Sequence, residues 1–150
     1  EEDLENLKKY LKPFLPDFYI TYGDGKHGIT AYMFMEQVQP TDTTGENEQQ
    51  FCREFDDFIR QCETMYLTTF NKNTQRGVTF DVNVKSNIFG KTIKNPAPRL
   101  YLIDLYPTVH AQPDALATDI EILIKTLEQK HDFIFLNAHN FIKKLKKMPS

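Results

Sequence analysis

Three oxygen-bearing side chains, Asp81, Asn87 and Asp104, fall where a polypeptide could build a site for phosphoryl transfer. Asn87 ends the short polar run Lys85-Ser86-Asn87, and Asp104 closes the apolar run Leu100-Tyr101-Leu102-Ile103. An amide oxygen and a carboxylate can converge on one hard cation, because Mg²⁺ takes oxygen ligands and completes its shell with phosphates and water. Asp81, ahead of the Asn, could orient or deprotonate a substrate hydroxyl. The order carries the signal: acid, Asn, a β-hairpin, then an apolar strand ending in an acid. The plainer reading makes Asp81 and Asn87 turn formers and Asp104 a loop cap, duties common for such residues.

The elements that must hold these groups are readable from periodicity. Asn71 to Gly77 is a polar turn that delivers the chain into Val78-Thr79-Phe80-Asp81, a strand reading. Residues 88–93 and 99–103 are expected to pair as a hairpin around the stiff loop Asn95-Pro96-Ala97-Pro98. Asp104, bounded by Pro107, would then sit at the end of a rigid element, as metal coordination requires. Ahead of them, Phe51, Phe55, Phe58, Ile59, Cys62 and Tyr66 keep the spacing of a helix with one buried face, and Thr43 with Glu46 could form its capping box.

Residues 18–22 and 29–38 are rich in aromatic and β-branched types and flank Gly23-Asp24-Gly25-Lys26-His27-Gly28, so they read as another hairpin. The three glycines spell G-x-G-x-x-G. A dinucleotide fingerprint needs a helix after it, and here a strand comes next, so the run is read as a hairpin turn. Upstream, Leu4, Leu7, Leu11 and Phe14 recur at helical spacing until Pro13 and Pro16 end the segment. Downstream, Leu116, Ile120, Leu123, Ile124 and Leu127 form one helical stripe, with Pro113 suited to its first turn and Asp114 favourable there. Ile134, Ala138, Phe141, Ile142 and Leu145 form a second.

The succession Asp81, Asn87, hairpin, Asp104 resembles the catalytic core of the protein-kinase-like superfamily, especially the divergent branch of aminoglycoside and choline phosphotransferases. The resemblance implies an α+β fold: a kinase-like C-lobe, mostly helical with short β-hairpins, plus a hinge-side strand pair from an incomplete N-lobe. It implies that Asn87 and Asp104 hold Mg²⁺, that Asp81 is the catalytic acid, and that backbone groups of Glu36 and Val38 meet the adenine edge of ATP. The function implied is transfer of the ATP γ-phosphate to a hydroxyl acceptor.

The chain departs from the family pattern in several places. Five residues separate Asp81 from Asn87 where the pattern has four, no His-Arg precedes Asp81, and Leu105-Tyr106 replaces the usual Phe-Gly. No Lys lies between Lys26 and Lys72 to pair with phosphates. The motif therefore supports the fold better than the activity. The alternative is a catalytically inactive, pseudokinase-type binding or interaction module, and a third reading is an unrelated α+β interaction domain. At 150 residues the chain is expected to be one kinase-like domain over 1–150 that begins in mid-domain and lacks most of the N-lobe.

The resemblance implies a nucleotide and a hydroxyl-bearing acceptor as partners, or a protein partner for an inactive module. A formal charge of −3 argues against nucleic acid, whose binding is dominated by phosphate neutralisation. Lys143, Lys144, Lys146 and Lys147 are read as favouring a helix C-terminus. No apolar run approaches the ~20 residues needed to span a bilayer, so no membrane role is expected and the cytoplasm is the default location. Cys52 and Cys62 share one expected helix, about 15 Å apart at 1.5 Å rise per residue, and so should be unbridged core thiols. His27, His110, His131 and His139 are dispersed and are read as surface or capping residues.

Overall fold

A computed structural model describes residues 2–79, 87–103 and 109–149, the side chains of 2–4 and 7 excepted. It is α+β, with small antiparallel sheets set around helices. Helix α1 (Glu2–Tyr10) gives way to a single 3₁₀ turn at Lys12–Phe14, with Pro13 in its first turn. Leu11 and Phe14 are buried there. Strands β1 (Phe18–Gly25) and β2 (Gly28–Met35) form the expected hairpin, but the turn is far tighter than the glycine string suggests. Gly23 pairs with Thr30, Asp24 with Ile29 and Gly25 with Gly28, leaving only Lys26 and His27 in the bend. Of these glycines, Gly28 alone takes a positive φ, 114°, which explains its place at the end of the bend.

Strand β3 (Gln39–Pro40) leads to α2 (Glu48–Thr69), the central helix. Its stripe is buried as the periodicity requires, and it packs against α1, α4 (Leu136–Lys147), β4 (Gly77–Thr79) and β6 (Arg99–Leu102). The capping box is not formed. Asp42 accepts the Thr44 N–H at 3.0 Å and the Thr44 hydroxyl at 2.8 Å, which turns the chain before a helix can begin. A 3₁₀ turn comes next at Gly45–Asn47, and α2 starts only at Glu48.

Strand β5 (Asn87–Lys91) pairs on one side with β3 and on the other with β6, giving the order β3-β5-β6. Strand β7 (Val109–Ala111) pairs with β4, and α3 (Pro113–Lys130) then packs on α4. The α3 stripe is buried as expected, and Pro113 opens the helix. The α4 stripe needs one correction. Ile134 precedes the helix and is exposed, while Phe135 takes the buried place beside Phe55 and Phe133.

Both thiols are free and buried, and burial pushes Cys52 up to about 11 and Cys62 higher still. Lys144 and Lys146, in the last turn of α4, reach back to Glu63 at 3.0 Å and Glu121 at 2.6 Å. His131 meets Glu48 at 3.1 Å and His139 meets Glu128 at 3.0 Å. Among the described residues, no helix is long and apolar enough to cross a membrane.

Asp56 is a buried acid on the inner face of α2. Its two carboxylate oxygens accept the N–H groups of Asn137 at 3.0 Å and Ala138 at 3.2 Å, the first turn of α4, where a local capping residue is missing. Asp56→Ala should therefore cost about 2–3 kcal/mol, since it orphans helix donors in a buried place. Burial raises the Asp56 carboxyl above its ordinary value, and the two N–H bonds offset this only in part. A raised acid favours folding in its protonated form, so this contribution is present at low pH and is lost as pH rises through the raised value. Melting curves over a pH series should show the gap between the native chain and Asp56→Asn narrowing as pH climbs from acid towards neutral.

Candidate functional site

Asn87 heads β5, and its Cα partner across the hairpin is Leu102, the last residue of β6. Hence the start of β5, at Asn87, and the end of β6, at Leu102, meet at the same end of one hairpin. Asp104 follows Leu102 by two residues, and it lies outside the described residues, as does Asp81. The second pairing acts at the same two chain segments. Thr79, at the end of β4, pairs with Val109, at the start of β7. Residues 80–86 and 104–108 thus each join two strand ends that are hydrogen-bonded into antiparallel ladders.

Asn87 is half-buried, and its Oδ1 is buried with no partner. Among the described residues it is the one buried side-chain oxygen that has neither a hydrogen bond nor an ion pair, because Glu63 Oε1 is met by Lys144. A buried acceptor left unmade costs free energy and calls for a reason. An oxygen of this kind fits the donor set of a hard cation. Among the described residues, no cluster of three or more His, Cys, Asp and Glu side chains is placed to hold a metal ion.

The segment expected to meet adenine lies against the same strand. Gln39 pairs with Lys91 and Pro40 with Gly90, and the Thr41 N–H donates to the Phe89 carbonyl at 2.8 Å. Gly90 is where the two backbones touch, for a Cβ there would collide with the Gln39 carbonyl and reach Val38 Cγ1 at 3.0 Å. Glu36 is bound differently. Its N–H donates to the Asp17 carbonyl at 2.9 Å, and its Oε1 accepts the Asp17 N–H at 3.0 Å. An adenine edge would therefore meet the Glu36 carbonyl rather than its N–H. Lys94, from the loop between β5 and β6, completes this corner through an ion pair with Asp17 at 2.8 Å. A groove lined by Asp17, Tyr19, Phe34, Glu36 and Lys94 opens there.

The neighbouring β4–β7 pair is braced on α2. Tyr66 donates its hydroxyl to the Ala111 carbonyl at 2.8 Å, and burial raises that phenol to about 12. Thr69 Oγ1 accepts the Val78 N–H at 2.9 Å. Gly77 lets β4 lie on α2, since a Cβ there would stand 2.7 Å from the Tyr66 ring. These braces, like the Glu54 carboxylate that accepts the Leu100 N–H of β6 and the Gln50 amide that donates to the Pro98 carbonyl, leave no mark in the sequence. Their partners are backbone groups far along the chain, and no local spacing announces them.

Comparison with family models, with curated proteins and with solved structures finds no match to this chain.

Proposed function

We propose that this chain is a divergent kinase-like domain that binds a nucleoside triphosphate with Mg²⁺ and transfers its terminal phosphoryl group to a hydroxyl acceptor. The observation that carries the reading is the unpartnered Asn87 oxygen at the mouth of a hairpin whose other strand leads into Asp104. Asn87 would supply an amide oxygen and Asp104 a carboxylate oxygen, a hard donor pair suited to Mg²⁺. When bound, the ion would offset negative charge on the phosphate oxygens. Asp81 would accept a hydrogen bond from the acceptor hydroxyl and so orient it. The Glu36 carbonyl and the Val38 backbone would receive the base. From Gly90, which Val38 overlies, to Asn87 is three residues of strand, about 10 Å at ~3.3 Å per residue, a span on the scale of an extended nucleotide.

The same geometry serves a module that keeps the nucleotide site without turning over. The long Asp81 to Asn87 spacing and the absence of a Lys in the β1–β2 hairpin beyond Lys26 favour that second reading. A thermal-shift titration with ATP, with and without Mg²⁺, tests binding, because a ligand of the folded state must raise its stability. At ~100 times the dissociation constant the gain is about 2.7 kcal/mol. Asp104→Ala should remove the Mg²⁺-dependent part. An unchanged Mg²⁺ response in that variant would overturn the site. Phosphate release or acceptor labelling, tested against Asp81→Asn, then separates an enzyme from an inactive module.

A further inference from the structure

We propose that the outer edge of β2 is a self-association surface, on which two copies of this chain pair their β2 strands antiparallel about a two-fold axis at Tyr32. The inference stands apart from the nucleotide–Mg²⁺ reading. The phase of the ribbon's hydrogen bonds decides which backbone groups are free to pair. The Glu36 N–H donates to the Asp17 carbonyl, and the ladder continues that register, so Phe34, Tyr32, Thr30 and Gly28 bond inward to β1. Ile29, Ala31, Met33 and Met35 therefore turn their N–H and C=O groups outward. Among the described residues no further strand pairs with this sheet, and every residue from Gly28 to Phe34 is exposed. The devices that usually blunt such an edge are missing, for the ladder runs without a bulge and Gly28–Met35 contains no proline and no charged residue.

Charge and register choose a second copy as the occupant. Outward groups exchange hydrogen bonds only with outward groups, and centring the pair on Tyr32 sets Ile29 opposite Met35, and Ala31 opposite Met33, of the other copy. Tyr32 then faces its own counterpart in a pair without hydrogen bonds, where side chains approach most closely. The same register brings Lys26 of each copy alongside Glu36 of the other, opposite charges at both ends of an uncharged strand. The β1 edge is poorer. Asp24 stands on its outward rungs and Asp17 just beyond its far end, so two β1 strands paired antiparallel would bring acids together, which stops growth at two copies. Ile29, Tyr32, Met33 and Phe34 offer about 400 Å² of exposed apolar surface per copy, half the ~800 Å² that each side of a standard interface buries, so the dimer is a weak one. Pairing gives the ribbon four strands, where two alone are marginal in water.

The test is the oligomeric state of the full chain, followed by sedimentation from about 1 μM to about 1 mM, the range that a small interface calls for. The mass should rise from the 17.6 kDa of one chain to twice that and stop there. Tyr32→Lys sets like charges face to face on the axis and should weaken association about 10-fold or more, while Tyr32→Phe keeps the ring and should leave it native. Tyr32→Cys gives a second readout. On the axis the two Cα atoms would stand about 4.5 Å apart, inside the range a disulfide spans, so mild oxidation should link two chains. Tyr22→Cys, on β1 and at least as exposed, should not link, and Cys52 and Cys62 are buried out of reach. Neither tyrosine belongs to the core, so the helices keep their packing in every variant. A single chain at every concentration would overturn the proposal and leave the edge to an extended segment of a different protein. So would a dimer that survives Tyr32→Lys, linkage as ready through Tyr22→Cys as through Tyr32→Cys, or growth past two copies.

Discussion

Asn87→Leu is expected to raise the melting temperature of the ligand-free chain and to erase the extra stabilisation that Mg²⁺ brings to ATP. The two effects have opposite signs and one cause. The Asn87 oxygen is buried without a partner. A buried acceptor in that condition costs ~1–3 kcal/mol, and an apolar side chain of similar size avoids the cost. A gain of about 1–2 kcal/mol would lift the melting temperature by several degrees in a chain of this length. On the proposed function the same substitution deletes an oxygen that Mg²⁺ would need, so the Mg²⁺-dependent shift should fall to nothing. Stability held down by a functional group is a familiar trade. If Asn87 were only a turn residue, Leu would lower the melting temperature and leave the Mg²⁺ response untouched, and the site would have to be given up.

Phe55→Ala should be the most damaging single change to the fold, at about 3–5 kcal/mol, the usual cost of emptying a buried aromatic position. Phe55 is 1% exposed and has ring neighbours on two elements. It lies 5.8 Å from Phe51 and 6.0 Å from Phe58 on α2, and 6.2 Å from Phe135 ahead of α4. Truncation would leave a void shared by all three, and three rings cannot collapse into it without breaking their edge-on packing. The loss is a large part of a domain stability that is commonly 5–15 kcal/mol. Urea unfolding of the variant should show the drop in midpoint with little change in slope.

Phe55 also belongs to the part of the fold most legible in the sequence. Large aromatic residues at helical spacing can be buried on one face in only one way, so the α2 stripe, the α3 stripe and the two hairpins come from pattern alone. Asp56 is invisible to the same reasoning. A polar residue on an apolar face looks like an exception until α4 arrives to present its first N–H groups, more than 80 residues later. The Thr43–Glu46 box fails for a local reason, since a 3₁₀ turn takes Gly45–Asn47, Glu46 included, and α2 starts only at Glu48. Glycine spacing misleads in another way. Gly23 and Gly25 sit in the β1 ladder, because a residue without a side chain tolerates strand geometry as well as a bend.

Of the candidate site, the described residues hold only Asn87 and the hairpin that follows it. Asn87 opens β5, and the expected hairpin comes after it. Asp81 and Asp104 lie outside the described residues. What no pattern could supply is the unmatched oxygen on Asn87, or the fact that the Glu36 N–H is already taken by Asp17. Each depends on what the rest of the chain does or does not bring near.

The β1–β2 ribbon governs how this molecule comes apart. Tyr19 and Phe34 stack on one another at 5.1 Å yet remain open to solvent, and Ile29 near the tip is 81% exposed. Among the described residues, only the foot of the ribbon is tied down, through Phe18, Met35 and the Asp17 corner. Two strands alone are marginal in water. Its outer rungs should therefore open and close on their own, by a free energy set within the ribbon, while the helices beneath stay intact. Amide protons along residues 20–33 would trade with solvent long before those of α2, so the chain carries a loosely moored flap on a firmly sealed body.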